Sequence, residues 1–416
     1  MKQTLINFIE NGGDFNQTAL NLWEWQVQHN PDYGRFCAGF RPKRWQDIPA
    51  VPVALFRDCF LCSFPPMAAS IVFQTSGTTG PRGRIHLMDT DLYDRVAQLG
   101  AQHLIGMIPS TGISLVSSAP DSSLGHMCRL FAPKMLQCFN SELGVLREEA
   151  WNYLHSTTEA IFFPATAFAM AALIADHEQP CFLAEGSIIM ITGGFKGQHS
   201  TLSETELIQK LFELFPTARI VGEYGMSELS SQLWSSCLGE RFYPPPWLKI
   251  LAVDPKTGKE CSGPGQLRFF DLANQQTVLA IETKDQGIVH PDGSVELFGR
   301  LPKADARGCS LSVEEIDRYF HRKTPSVPSK QLEAIPSYSQ ISRKINSVMD
   351  ALSELRSLDP APFIPRLSSE NIRWGWTKSL DAITKEGLET LLKDSDFFPT
   401  QISLVVARGV FSSCLE

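Results

Sequence analysis

Val72-Phe-Gln-Thr-Ser-Gly-Thr-Thr-Gly-Pro-Arg-Gly-Arg84 sets three glycines and four hydroxyl side chains between two apolar runs. Gly77, Gly80 and Gly83 let the backbone turn its N–H groups toward an anion. Thr75, Ser76, Thr78 and Thr79 add side-chain donors, and Arg82 and Arg84 add charge. That composition suits a polyphosphate; a plain Ser/Thr/Gly surface loop is the alternative reading. No Gly-Lys-Ser/Thr follows at Walker spacing, so this is not a P-loop. Ile85-His-Leu-Met88 reads as a strand and a helix begins only near Asp91, so the loop does not open a helix directly.

Downstream of this loop, apolar runs alternate with amphipathic patterns. Ser70–Phe73, Ile113–Val116, Ala160–Phe163, Ser187–Ile191 and Ala218–Val221 are the expected strands, with helices such as Thr90–Ile105 and Glu204–Phe215 between them. The second helix opens with the capping box Ser203-Glu-Thr-Glu206. The alternation predicts an α/β domain over 66–247 with a layered, largely parallel sheet, whose ligands sit beyond the carboxyl ends of the strands. Before it, residues 1–65 start helical, with Leu20, Trp23 and Val27 on one face, and then turn irregular. From 248 to 322 short β segments with turn signals predict a small β-rich subdomain: Leu248–Val253, Gly265–Phe270, Val278–Glu282 and Ser294–Phe298. Ser312-Val-Glu-Glu315 is a second capping box. Residues 323–416 read as a Pro-rich linker, an amphipathic helix through Ile341, Ile345, Val348, Met349, Leu352 and Leu355, and an ending that looks cut from something longer.

Composition narrows the function class. The 416 residues are 43% apolar and 20% charged, which permits a large core. A formal charge of -8 without a basic cluster argues against nucleic acid or an anionic membrane as partner. The amino-terminal stretch turns polar too early for a signal peptide, and no apolar run reaches spanning length. The cytoplasm is the expected compartment, and the ten cysteines are expected as reduced thiols. Cys59-Phe-Leu-Cys62 has metal spacing but no second pair to complete a tetrahedral site. Phe162, Phe163, Phe168, Met170 and Phe195 fit either an apolar pocket or plain core.

Three further segments follow the hydroxyl loop in a fixed order: Gly222-Glu-Tyr-Gly-Met-Ser-Glu228 after a strand, Thr283-Lys-Asp285 after another, and Gly299-Arg300 leading to Arg307-Gly-Cys-Ser-Leu-Ser-Val-Glu-Glu-Ile316. Together with Thr75–Gly83 they resemble the adenylate-forming enzymes, the superfamily of acyl-CoA synthetases, luciferases and peptide-synthetase adenylation domains. The resemblance covers roughly 70 to 316. It implies that Thr75, Ser76, Gly77, Thr78, Thr79, Gly80 and Gly83 hold the phosphates of ATP, and that Tyr224 and Gly225 flank the adenine. It further implies Asp285 on the ribose, Arg300 near ribose or phosphate, and Glu228 on Mg2+, a cation that favours few carboxylates plus phosphate oxygens. The implied reaction activates a carboxylic acid as its acyl-adenylate.

Within that superfamily the chain is most similar to the acyl-protein synthetases, the fatty-acid-activating subunits of bacterial bioluminescence reductases. Ala119–Met127, Thr192-Gly-Gly-Phe-Lys-Gly197 and Ala306-Arg-Gly-Cys-Ser-Leu311 carry this likeness. Cys309 is then the expected acyl acceptor, its thiolate favoured by Arg307 and a helix start at Ser312. Arg82 stands where the superfamily has a phosphate-loop lysine, keeping the charge in another shape. The usual lid domain with its Gly-Lys turn is not found after 316, so either Lys196 or Lys303 supplies the cation or this branch does without the lid. Arg373-Trp-Gly-Trp376 with Pro399–Leu415 looks like the entrance to an acyl reductase, the implied partner domain or subunit. An acyl-CoA or aryl-CoA ligase and a non-catalytic nucleotide-binding scaffold remain the alternatives.

Overall fold

The computed structural model describes residues 1–75, 82–140, 143–193 and 203–300, with two short strands at 366–368 and 371–373. In chain order the helices are α1 (Lys2–Asn11), α2 (Phe15–His29), α3 (Pro31–Phe36), α4 (Asp91–Ile105), α5 (Ser123–Phe131), α6 (Arg147–Ser156), α7 (Ala167–Ile174) and α8 (Glu204–Leu214). The strands are β1 (Val51–Pro52), β2 (Ile71–Gln74), β3 (Arg84–Leu87), β4 (Thr111–Ser114), β5 (Lys134–Gln137), β6 (Phe139–Asn140), β7 (Gly144–Val145), β8 (Phe162–Thr166), β9 (Ile188–Thr192), β10 (Arg219–Tyr224), β11 (Leu233–Ser235), β12 (Leu248–Val253), β13 (Gly265–Asp271), β14 (Ala280–Val289) and β15 (Val295–Arg300). The contacts divide the chain at Lys323 into two units. In the second, β16 (Arg366–Ser368) and β17 (Asn371–Arg373) pair antiparallel.

The central sheet runs β11-β10-β9-β8-β4-β5, parallel except for β11. Its central strands β8, β9 and β10 are buried on both faces because both are covered. Successive residues alternate between two cores. Ile189, Ile191, Phe163 and Ile220 pack under α6, α7 and α8, while Ile188, Met190, Phe162 and Val221 pack under α4 and α5. The capping box at Ser203 and Glu206 starts α8 as its sequence requires, with Ser203 accepting from the Glu206 N–H. Phe162, Phe163 and Met170 are wholly buried core, whereas Phe168 is largely exposed; Phe195 lies outside the described residues.

A second sheet, β1-β14-β13-β12 with β15 also on β14, forms its own core with the amino-terminal helices. The buried face of α2 is Ala19, Leu22, Trp23 and Gln26, so the expected stripe is rotated: Leu20 and Val27 flank it. Two expectations need correction. Ser70–Phe73 does not join the parallel sheet; β2 pairs antiparallel with β3 in a separate hairpin. Too few residues separate the two strands for a parallel crossover, which needs a dozen or more. Thr283-Lys-Asp285 does not follow a strand but lies inside β14, because β15 pairs with the distal half and prolongs it past the polar residues. Among the described residues no helix is long and apolar enough to cross a membrane.

Gly112 lies where β4 crosses β8 most closely: a Cβ there would overlap the Phe162 carbonyl oxygen. Two backbones meet at that point, so no side-chain rotation relieves it. Gly112→Ala is expected to lower the unfolding free energy by about 2 kcal/mol or more, read as a fall in the urea midpoint. An unchanged midpoint would contradict this packing.

Candidate active site

The site is built from the end of β9, the loop after β10, the neck of the β2–β3 hairpin and the middle of β14. The neck is closed by two bonds. The Thr75 N–H donates to the Gly83 carbonyl at 3.0 Å, and the Gly83 N–H donates to Thr75 Oγ1 at 2.9 Å. Gly83 has no positive φ; what it needs is closeness, since a Cβ would sit 3.0 Å from Thr75 Cγ2. Arg82 and Arg84 are exposed beside this neck. The tip itself, with Ser76, Gly77, Thr78, Thr79 and Gly80, lies outside the described residues.

Two further segments are tied to the neck through hydroxyls. Ser227 Oγ donates to the Gln74 carbonyl at 3.3 Å, and Ser227 and Ser123 share a hydroxyl contact of 3.1 Å. The Gln74 N–H donates to the Asp121 carbonyl at 2.9 Å. The hairpin, the 119–127 segment and the 222–228 segment therefore meet at one place. His126, in α5, sits beside it with Nε2 2.6 Å from Asp94 Oδ1 and its ring against Phe73 and Tyr93. Ser227, Ser123, Asp94 and His126 had no separate signal in the sequence, because a lone serine or histidine is ordinarily unremarkable.

Tyr224 closes β10 and joins the two sheets. Its ring stacks on Phe269 of β13 at 5.8 Å and meets Phe242 edge-on at 6.4 Å. Its hydroxyl donates to Asp285 Oδ2 at 2.6 Å, a charge-assisted bond to a carboxylate that is only 8% exposed. Asp285 stands opposite Arg300 in the β14–β15 register, so two of the sequence-selected positions are backbone neighbours. Gly225 follows Tyr224 because a Cβ there would overlap Glu223 Oε1. Glu223 is itself buried and accepts from Thr192 Oγ1 at the end of β9. Glu228 is buried in the same loop.

That loop is held from behind by a buried polar run, Asp271-Leu-Ala-Asn-Gln-Gln-Thr277. Asp271 accepts from the Ser231 N–H, the Ser231 hydroxyl and the Ala273 N–H, each at 2.9 Å. Trp247 Nε1 donates to the same Ser231 hydroxyl at 3.0 Å. Asn274 binds the backbone at Glu228 and Ser230. Polar residues this dense inside a β-rich, apolar stretch are a signal readable in the sequence. Of the remaining selected residues, Lys196, Lys303 and Cys309 lie outside the described residues, as do the second capping box and the helix expected at 341–355. Burial pushes the Cys59 and Cys62 thiols up to about 12 and about 11. Among the described residues no group of three or more His, Cys, Asp and Glu is arranged to hold a metal unaided.

No family model matches the chain, and no curated protein matches it. Solved structures do. One is 2-hydroxyisobutyryl-CoA ligase in the postadenylation state with R3-HIB-AMP, at TM-score 0.53 and 14% identity over 68% of this chain and 66% of that one. ATP-bound MatB from Rhodopseudomonas palustris gives TM-score 0.42 at 15% identity, over 56% and 48%. O-succinylbenzoate coenzyme A synthetase from Bacillus subtilis with AMP gives 0.41 at 16%, over 57% and 50%. The chain spans about half the length of the latter two. Similarity to the first shows the fold that the two share: a layered α/β body with a parallel central sheet and a second, β-rich sheet.

Asp271 gives this arrangement a pH signature. Burial lifts its carboxyl to about 6 from an ordinary 3.8, against the opposing pull of its donors. Between those values the folded chain holds one more proton than the unfolded chain, so stability falls as pH rises through the window. The loss from this group is roughly 3 kcal/mol between pH 4 and pH 7. Asp271→Asn should remove that component: urea unfolding at a series of pH values should show a flatter profile over pH 4–6. An unaltered slope would contradict the assignment.

Proposed function

We propose that this chain activates a carboxylic acid with ATP, forming an acyl-adenylate and releasing pyrophosphate. The observation that carries the reading is the Tyr224–Asp285 hydrogen bond in a loop that Ser227 ties to the hydroxyl hairpin. An aromatic ring, a buried carboxylate and the neck of an anion-binding loop are then within one connected site. These residues suit ATP chemically. Asp285 is a carboxylate acceptor for ribose hydroxyls, the Tyr224 ring offers a flat apolar edge to the base, and Thr75 begins a run of hydroxyl and N–H donors for phosphates. Arg82 presents a guanidinium fork whose geometry matches phosphate oxygens. Glu228 would hold Mg2+ together with phosphate oxygens, and the cation would neutralise charge on the leaving pyrophosphate.

The reaction needs little covalent chemistry from the protein. A carboxylate oxygen of the acid bonds to the α-phosphorus while the bond to the pyrophosphate oxygen breaks, and no proton is transferred. The chain's task is alignment and charge neutralisation. Lys196 is our candidate for the cation beside the carboxylate, and Cys309 for the thiol that receives the acyl group before its delivery to a reductase. Both proposals rest on sequence: the lysine after the central strand and the Arg307-Gly-Cys309 stretch. The acid is proposed to be fatty, and the compartment cytoplasmic. Coenzyme A as acceptor is the second reading, favoured by the fold shared with a CoA ligase.

With ATP, Mg2+ and a panel of fatty, aryl and short acids, pyrophosphate release is expected for at least one class without coenzyme A. Glu228→Gln should reduce that rate about tenfold or more, a magnitude usual for lost metal ligation shells. Absence of release with every acid would remove the reading. Cys309→Ser is expected to release pyrophosphate while retaining no acid-stable, hydroxylamine-labile radiolabelled acyl group. A full acyl load on that variant would exclude the cysteine, and release that strictly requires coenzyme A would favour the ligase.

A further inference from the structure

We propose that Asn274 is a positioning residue for the Glu228 carboxylate, and through it for the divalent cation; this rests on reading the site as a metal–nucleotide site. Asn274 is 1% exposed and its amide grips the loop at two points that bracket Leu229. Nδ2 donates to the Glu228 carbonyl at 2.9 Å, and Oδ1 accepts from the Ser230 N–H at 2.8 Å. Nδ2 also donates to the Val278 carbonyl at 3.0 Å, so both amide hydrogens and the oxygen are engaged. Leu229 between the two grips is buried in the core. The backbone on the carboxyl side of Glu228 is therefore pinned, and with it the direction in which the Glu228 side chain leaves the loop.

The amide is itself anchored to a rigid element. Gln26, wholly buried on α2, donates from Nε2 to the Asn274 carbonyl at 2.7 Å and accepts from the Leu279 N–H at 2.9 Å. A position in the loop is thus referred to a helix packed on the same core. Only an amide provides donors to two carbonyls and an acceptor to an N–H at one site. A carboxylate of the same shape would face two carbonyl oxygens, and an alanine would leave three buried groups unpaired. Outer groups that orient a ligating carboxylate usually contribute 10–100-fold to metal affinity.

The test measures binding of manganese(II)–ATP to the full chain by electron paramagnetic resonance of the bound ion, and of metal-free ATP by equilibrium dialysis. Asn274→Asp should weaken manganese(II)–ATP about tenfold or more and leave metal-free ATP within about twofold. In a Glu228→Gln background the same substitution should add nothing further, because residues acting through one group are not additive. Leu211→Ala, in the separate core beneath α8, should lower the melting temperature and shift neither affinity. Equal weakening of both nucleotide forms, or a full Asn274→Asp effect in the Glu228→Gln background, would show a merely structural role and overturn the proposal. If Asn274→Asp does not fold, Ser230→Pro removes the N–H that donates to Oδ1, together with the serine hydroxyl and the freedom of φ, and carries the same expectation, with no shift overturning it. A parent chain that binds neither form would overturn the functional reading itself, an outcome distinct from the others.

Discussion

The phenol of Tyr224 on the carboxylate of Asp285 is the contact on which the rest of the site depends. It joins the last residue of a strand in the parallel sheet to the middle of a strand in the second sheet. Apolar packing also crosses this seam, since Leu233 of β11 and Leu92 and Val96 of α4 belong to the core of the second sheet. A hydrogen bond to a charged group contributes about 1.5–3 kcal/mol, which is enough to fix a seam though not to build one. Phe269 and Phe242 supply the packing that holds the phenol in place.

Around the seam the structure buries polar groups in unusual number and pairs them. Asp271, Asn274, Gln26 and Gln276 each make long-range bonds to backbone groups. Gln276 accepts from the Met88 N–H, at the far end of the hydroxyl hairpin, while Asn274 holds the Glu228 loop. One short run in the second sheet thus sets the hairpin and the acidic loop relative to each other. Buried amides that are fully paired specify one arrangement, whereas half-paired ones would destabilise it. The raised carboxyl of Asp271 is the cost of placing a charge in that run.

Much of the architecture was legible in the sequence because it rests on local periodicity. The capping box at Ser203, the strand Leu248–Val253 and the helix after Asp91 all follow from patterns within one element. What failed depended on partners distant in sequence. Nothing in Ser70–Phe73 distinguishes a hairpin strand from a member of a parallel sheet. Nothing in Thr283-Lys-Asp285 announces that a later strand will extend β14 through it. Of the residues selected from sequence, Tyr224 and Asp285 are hydrogen-bonded, and Thr75 and Gly83 close the hairpin neck that Ser227 reaches through Gln74. The residues that join the segments, Ser227, Ser123 and Asn274, were not legible, because their role exists only once the chain has folded.

The central claim is that ATP lies across this seam. A crystal structure of the full chain with a non-hydrolysable ATP analogue and Mg2+ tests it most directly. The account predicts the base against Tyr224, the ribose hydroxyls on Asp285 and the phosphates within Thr75–Gly83, with the cation on Glu228. A nucleotide bound elsewhere, with the Tyr224–Asp285 pair and the hairpin unengaged, would contradict it.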